Sequence, residues 1–309
     1  MSSKTIGILG GGPWGFALAR AVLNAGNRAV VCTRRDGPLR PEGVEVTADV
    51  AVLGARATLI VLAVPSAVAR PVATTLGDVV SGAHYVVHAV RGLSTDGLMP
   101  VSQIIRHETP VRRVGVLAGP VLAADLLADR PSVMAVASHF PEVLDALRTA
   151  LSSSSLRLSV SDDLVGTEWA SALVGALLLG VGYARGVGIR EPLLAGLLVR
   201  ALREAAQVGV AAGALEKTFY GLAGIGDLMA AMAQQDARPE VQFGLRLAKG
   251  ERALETSLAM GVRIEAIELV PRVCAFAKTR GIATPVFDAL AKLLTNSVDV
   301  TQLMADLMR

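Results

Sequence analysis

The 309-residue sequence predicts an α/β protein: a Rossmann-like doubly wound sheet in the first half and an all-helical C-terminal domain in the second. Three observations predict it. A glycine cluster, Gly10-Gly11-Gly12-Pro13-Trp14-Gly15, lies between the apolar run Thr5–Leu9 and a helical stretch at 16–23. Apolar, β-rich runs then alternate with helical stretches to about residue 160. After Asp162-Asp163 the strand signals vanish and long apolar helical segments follow.

The elements follow in order. Thr5-Ile6-Gly7-Ile8-Leu9 reads as a buried first strand. The glycines after it form a G-x-G-x-x-G turn in strand–turn–helix context, the fingerprint of a dinucleotide site. Gly10 allows the tight turn, Gly12 admits a pyrophosphate to the backbone, and Gly15 lets helix and strand pack closely. Pro13 and Trp14 belong to the same turn, whose helix N-terminus offers N–H groups to phosphates. Residues 28–33 read as the second strand, and 57–64, 85–90, 114–117, 132–138 and 156–160 as further strands of a mostly parallel sheet. Ser152-Ser153-Ser154-Ser155 marks a turn near the end of this domain. Helices are expected at 163–185, 191–213, 222–233, 240–249, 252–260, 264–280 and 285–309. The boundary is set near 161, giving a dinucleotide-binding domain at 1–161 and a helical substrate or dimerisation domain at 162–309.

Composition narrows the function classes. Apolar residues make up 52% and charged ones 18%, which excludes a disordered chain. Net charge is only +3, and no dense Lys/Arg run argues for nucleic acid. The most apolar stretch, 170–184, is shorter than the ~20 residues of a membrane span and contains Gly175, Gly180 and Gly182. It reads as a buried core helix. Cys32 and Cys274, far apart in sequence, suit a reducing cytoplasm and no disulfide framework. Met1-Ser2-Ser3-Lys4 leads straight into the first strand, so no signal peptide is expected. Only five of the 30 basic residues are lysines, Lys4, Lys217, Lys249, Lys278 and Lys292, which limits the candidates for a catalytic amine. No metal is assigned.

The end of the second strand discriminates between dinucleotides. An acid about 20 residues past the glycines holds the ribose 2′-OH of NAD. Here the segment is Cys32-Thr33-Arg34-Arg35-Asp36. Guanidinium groups suit a 2′-phosphate, so Arg34 and Arg35 favour NADP(H), while Asp36 keeps NAD open.

Several segments together resemble the NAD(P)-dependent glycerol-3-phosphate dehydrogenases of bacterial type. Gly12-Pro13-Trp14-Gly15-Phe16-Ala17-Leu18-Ala19 resembles the family's opening turn, and Val64-Pro65-Ser66 its V-P-S segment. Val90-Arg91-Gly92 sits where the family has a lysine-glycine pair, and Gly119-Pro120-Val121-Leu122-Ala123 resembles its S-G-P-S-F-A segment in part. Gly221-Leu222-Ala223-Gly224-Ile225-Gly226-Asp227-Leu228 is similar to G-L-A-G-L-G-D-L, the most specific match. The resemblance runs in order over nearly the whole chain. It implies reversible hydride transfer between NAD(P)H and dihydroxyacetone phosphate, giving glycerol 3-phosphate. It also implies that Arg91, Ala123, Arg238 and Glu265 join the glycine turn, Arg34 and Arg35 on the cofactor.

The departures fall on the chemistry. The family's catalytic lysine and following asparagine correspond to Val174 and Gly175, and its K-G lysine to Arg91. Valine cannot donate a proton, and arginine does not readily release one. The S-R-N segment corresponds to Ala237-Arg238-Pro239, and G-D-N-A-K loosely to Arg190-Glu191-Pro192-Leu193-Leu194. Val121, Val174, Gly175, Pro192 and Leu194 would make a less polar pocket. Arg91, Lys217 and Asp227 are the catalytic candidates, with His88 an alternative proton donor and Glu168 or Asp227 orienting it. Plainer roles compete: His88 as a core histidine, Lys217 as a solvated loop residue, Asp227 as a helix cap, Glu168 as a structural carboxylate. Two readings follow: a dehydrogenase acting on dihydroxyacetone phosphate or another ketone, or a cofactor-binding sensor or scaffold without activity. A small-molecule substrate is the expected partner, and the helical domain offers a surface for a homodimer.

Overall fold

The computed structural model describes residues 3–34, 39–94, 97–233 and 238–295. The chain divides into two compact units, Met1–Ser94 with Met99–Glu168, and Thr95–Leu98 with Trp169–Arg309.

The first unit is an eight-stranded sheet. Its strands are β1 (Thr5–Leu9), β2 (Arg28–Cys32), β3 (Glu45–Thr47), β4 (Leu59–Leu62), β5 (Tyr85–His88), β6 (Arg113–Ala118), β7 (Ser132–Ala137) and β8 (Leu156–Ser161). Spatial order is β3-β2-β1-β4-β5-β6-β7-β8, parallel throughout except for the antiparallel β6–β7 pair. The chain therefore reverses its direction of travel across the sheet between β1 and β4, the switch point where doubly wound sheets open a crevice.

Alternation along the strands builds two cores. Ile6, Ile8, Ala29, Val31, Leu59, Val61 and Val87 face one apolar cluster, which takes in α1 (Pro13–Asn24), α5 (Ala123–Leu127) and α6 (Pro141–Leu151). Val30, Cys32, Ile60, Leu62 and Val86 face the other, with α2 (Ala51–Arg56), α3 (Ala69–Gly77) and α4 (Val101–Glu108). With both faces covered, the central parallel strands are apolar on both sides, and this is why they read as continuous hydrophobic runs.

The second unit holds α7 (Leu164–Gly186) from its sixth residue on, then α8 (Glu191–Ala211), α9 (Glu216–Phe219), α10 (Asp227–Ala233), α11 (Pro239–Leu247), α12 (Ala253–Met260), α13 (Ala266–Thr279) and α14 (Pro285–Leu294). A π-helical segment, Leu222–Gly226, precedes α10. Helix α7 has 23 residues, long and apolar enough to cross a membrane, but 89% of its most apolar window is buried inside the protein. Its glycines explain the packing. A Cβ on Gly182 would lie 2.0 Å from the Val241 carbonyl oxygen, and one on Gly244 2.1 Å from that of Leu179, so α7 and α11 meet backbone to backbone.

Two elements depart from expectation. Strand β3 and helix α9 were not anticipated; they are three and four residues long and lack an apolar run. The units part after Glu168, beyond the expected boundary at 161, because the start of α7 belongs to the sheet's core: Leu164 packs in the second cluster and Glu168 bonds to β5 and α4. Residues 296–309 of the last expected helix lie outside the described residues.

Candidate active site

Backbone geometry requires glycine at positions 10 and 15 of the turn, and leaves position 12 open. Gly10 adopts φ +126, and a Cβ there would lie 2.2 Å from the Ala63 carbonyl oxygen at the end of β4. A Cβ on Gly15 would lie 1.9 Å from the carbonyl oxygen of Gly10, so α1 starts directly on the turn. Gly12 is the N-cap of α1 in an extended conformation, and nothing lies within 4 Å of where its Cβ would be. Pro13 opens the helix, where its missing N–H costs nothing. The turn thus leaves open space in front of a helix N-terminus, at the carboxyl end of β1 and beside the β1/β4 switch point. The free N–H groups and positive dipole end of such a helix would suit an anionic group.

Trp14 ties this turn to the end of β5, donating its indole N–H to the Ala89 carbonyl oxygen at 3.1 Å. Arg91 follows two residues later and is half-buried. Arg34 is exposed just past β2; Arg35 and Asp36 lie outside the described residues. Ala123 begins α5 and packs against the first apolar cluster.

Beneath Arg91 is a buried polar node. His88 Nε2 lies 2.8 Å from Glu168 Oε1, and the Val90 N–H donates to His88 Nδ1 at 3.4 Å. Accepting on Nδ1 places the ring proton on Nε2, which donates to Glu168. Both nitrogens are therefore engaged inside the fold, and His88 is fully buried, which removes it as a proton donor to substrate. Ser102 completes the node: its N–H donates to Glu168 Oε1 at 2.9 Å and its hydroxyl to Oε2 at 2.6 Å. Sequence reasoning named Glu168 and His88 singly and did not find Ser102. The available signal was a lone acid and a lone histidine inside otherwise apolar runs.

In the second unit, Asp227 opens α10 and is fully buried; Arg238, also buried, is the N-cap of α11 and donates from Nη2 to Asp227 Oδ1 at 2.8 Å. Lys217 lies exposed on α9. Glu265, the N-cap of α13, faces Arg263 at 3.7 Å. Val174, at the position of the family's lysine, is fully buried in α7. Of the residues expected to line an apolar pocket, Val121 packs in the sheet's first cluster, Pro192 is exposed, and Leu194 lines a cleft with Leu177 and Leu290. Neither cysteine is disulfide-bonded; burial, and secondarily Asp288, pushes the Cys274 thiol up to about 12, so it is no nucleophile.

Fold and turn define the class: a dehydrogenase that takes a nicotinamide dinucleotide at the end of a doubly wound sheet. The comparisons narrow it. Residues 36–144 match the family model for the NAD-dependent glycerol-3-phosphate dehydrogenase N-terminus, and residues 163–305 the one for its C-terminus. The chain belongs to the NAD-dependent glycerol-3-phosphate dehydrogenase family. Curated relatives include the glycerol-3-phosphate dehydrogenases [NAD(P)+] of Exiguobacterium sp., 27% identical over 94% of this chain and 90% of that protein, and of Rhizobium etli, 28% identical over 99% and 98%. Among solved structures, the glycerol-3-phosphate dehydrogenase of Coxiella burnetii shares the fold with a TM-score of 0.90 at 24% identity, covering 99% of each chain. A ketopantoate reductase from Ralstonia eutropha shares it more distantly, with a TM-score of 0.60 at 15% identity over 99% of this chain and 100% of that one.

Proposed function

We propose that this protein interconverts dihydroxyacetone phosphate and glycerol 3-phosphate with a nicotinamide dinucleotide. The bond from Trp14 to Ala89 carries this reading, because it brings the glycine turn and the strand end bearing Arg91 to one end of the sheet. Bound there, the dinucleotide supplies or accepts the hydride. Gly12 and the first turn of α1 hold its pyrophosphate, with Ala123 alongside; Arg34 and Arg35 hold a 2′-phosphate, so NADP(H) is preferred over NAD(H). Arg91 binds the substrate phosphate through paired N–H donors. Asp227 orients the Arg238 guanidinium, whose charge favours negative charge developing on a bound substrate, and Glu265 contributes to cofactor binding. With valine at position 174, the proton for the alkoxide comes from Lys217, whose ammonium is open to solvent.

The two unpaired cysteines support a reducing cytoplasm as its compartment. Exposed Leu254 and Leu258 on α12, 68% and 74% accessible, support a homodimer formed through the helical unit.

The test pairs NADPH binding by fluorescence titration with NADPH consumption in the presence of dihydroxyacetone phosphate. Turnover that falls steeply in Arg91→Ala and Lys217→Met is expected. Tight NADPH binding without turnover overturns the assignment.

A further inference from the structure

We infer that Glu168 is the positioning residue of the strand end that bears Arg91 and of the start of α4, which rests on the assignment of Arg91 to the substrate phosphate. The chain leaves the sheet after His88 and re-enters regular structure at Val101, with Ser102 the second residue of α4. One carboxylate ties both ends: Oε1 accepts from His88 Nε2 and the Ser102 N–H, and Oε2 accepts from the Ser102 hydroxyl. All three residues are buried.

Each bond has a structural consequence. Pro100, the N-cap of α4, supplies no side-chain cap, and Glu168 accepts the free N–H of Ser102 at that helix start. The Glu168 bond also fixes the tilt of the His88 ring, whose Nδ1 receives the Val90 N–H one residue before Arg91. The base of the segment is closed by the Ser94 N–H donating to the Met99 carbonyl oxygen at 2.8 Å. Within it, buried Leu98 adopts φ 56, a left-handed conformation that a leucine holds only where its surroundings over-determine it.

The reaction profile of Glu168→Ala and Glu168→Gln tests this. Glutamine can reproduce the node: its carbonyl oxygen accepts from His88 and the Ser102 N–H, and its amide donates to the Ser102 oxygen. Glu168→Ala is expected to lower kcat/KM for dihydroxyacetone phosphate by about 10²-fold, mainly through KM, as loop misplacement does. NADPH affinity should stay within about twofold, since the glycine turn is not touched. Amide hydrogen exchange should quicken over 88–102 in Glu168→Ala and not in Glu168→Gln. Equal loss of NADPH affinity, a Gln variant as impaired as the Ala variant, or unchanged exchange over 88–102 overturns the inference. Should Glu168→Ala not fold, Ser102→Ala removes one bond and must show the same pattern at smaller amplitude. Absence of turnover in the unaltered protein refutes the functional assignment alone; the exchange comparison still decides the role of Glu168.

Discussion

Trp14 donates its indole N–H to the carbonyl oxygen of Ala89 across 3.1 Å, joining the glycine turn to the end of a strand 75 residues away in sequence. β5 ends at His88, so Ala89 and Val90 are held by bonds such as this one. Trp14→Phe keeps the ring and deletes the donor. Stability is expected to fall by about 1 kcal/mol, the net worth of one hydrogen bond with its acceptor left behind. NADPH and dihydroxyacetone phosphate affinities should fall together, since both sides of the crevice lose the tie. Denaturant unfolding and paired titrations check this; loss confined to one ligand contradicts it.

The glycine turn separates folding from binding. Gly12 has an ordinary extended conformation and open space at its Cβ, so Gly12→Ala should fold with stability changed by less than about 1 kcal/mol. Its methyl group enters the space assigned to the pyrophosphate, and NADPH affinity should drop at least about tenfold, ~1.4 kcal/mol. Gly15→Ala puts a methyl 1.9 Å from the Gly10 carbonyl oxygen and should destabilise the unit by about 1–3 kcal/mol or more. Thermal unfolding with and without NADPH distinguishes the two. A Gly12→Ala variant that binds NADPH normally removes the turn from the cofactor site.

The contrast explains what the sequence discloses. A glycine demanded by backbone geometry is visible because no other residue type serves, and a strand buried on both faces is visible because it must be apolar throughout. Strand β3 was not visible because Glu45 is exposed at the sheet edge, and nothing in an apolar run tells that β7 is antiparallel to β6. The polar node is hidden for another reason. Glu168 lies 80 residues from His88 and 66 from Ser102, so each reads as an isolated polar residue in an apolar run. Only the fold shows that they satisfy one another. The displacement of the unit boundary from 161 to Glu168 has the same origin, since helical periodicity does not say which core the first turns of α7 join.

Asp227 and Arg238 form a buried pair 11 residues apart in sequence. Removing one partner from such a pair costs more than the pair itself contributes, because the remaining charge stays in a dry site. Arg238→Ala is expected to destabilise by about 3–5 kcal/mol. The double substitution Asp227→Leu with Arg238→Met should recover much of that stability while abolishing turnover. Urea unfolding of the two variants checks the ranking. A double variant as unstable as Arg238→Ala would mean that the pair is not the dominant electrostatic contact of these two side chains.

Glu204 on α8 links stability to pH. Its carboxylate accepts the N–H groups of Val286 at 3.0 Å and Phe287 at 2.8 Å, capping α14 from outside. Burial pushes its carboxyl up to about 7; the two N–H donors and Arg200 act the other way, and Asp288 adds to the rise. The folded protein thus retains a proton that the unfolded chain releases near the ordinary glutamate value of 4.5. Stability from this group is full below pH 4.5, declines as pH rises through about 7, and is level above it. The change is on the order of 3 kcal/mol. Glu204→Gln cannot ionise and should lose this component of the slope, apart from a pH-independent cost of about 1 kcal/mol for one cap bond lost. Unfolding free energies of both proteins at intervals from pH 4.5 to pH 8 give the difference directly. A constant difference across that window would show that Glu204 titrates alike in the folded and unfolded chain.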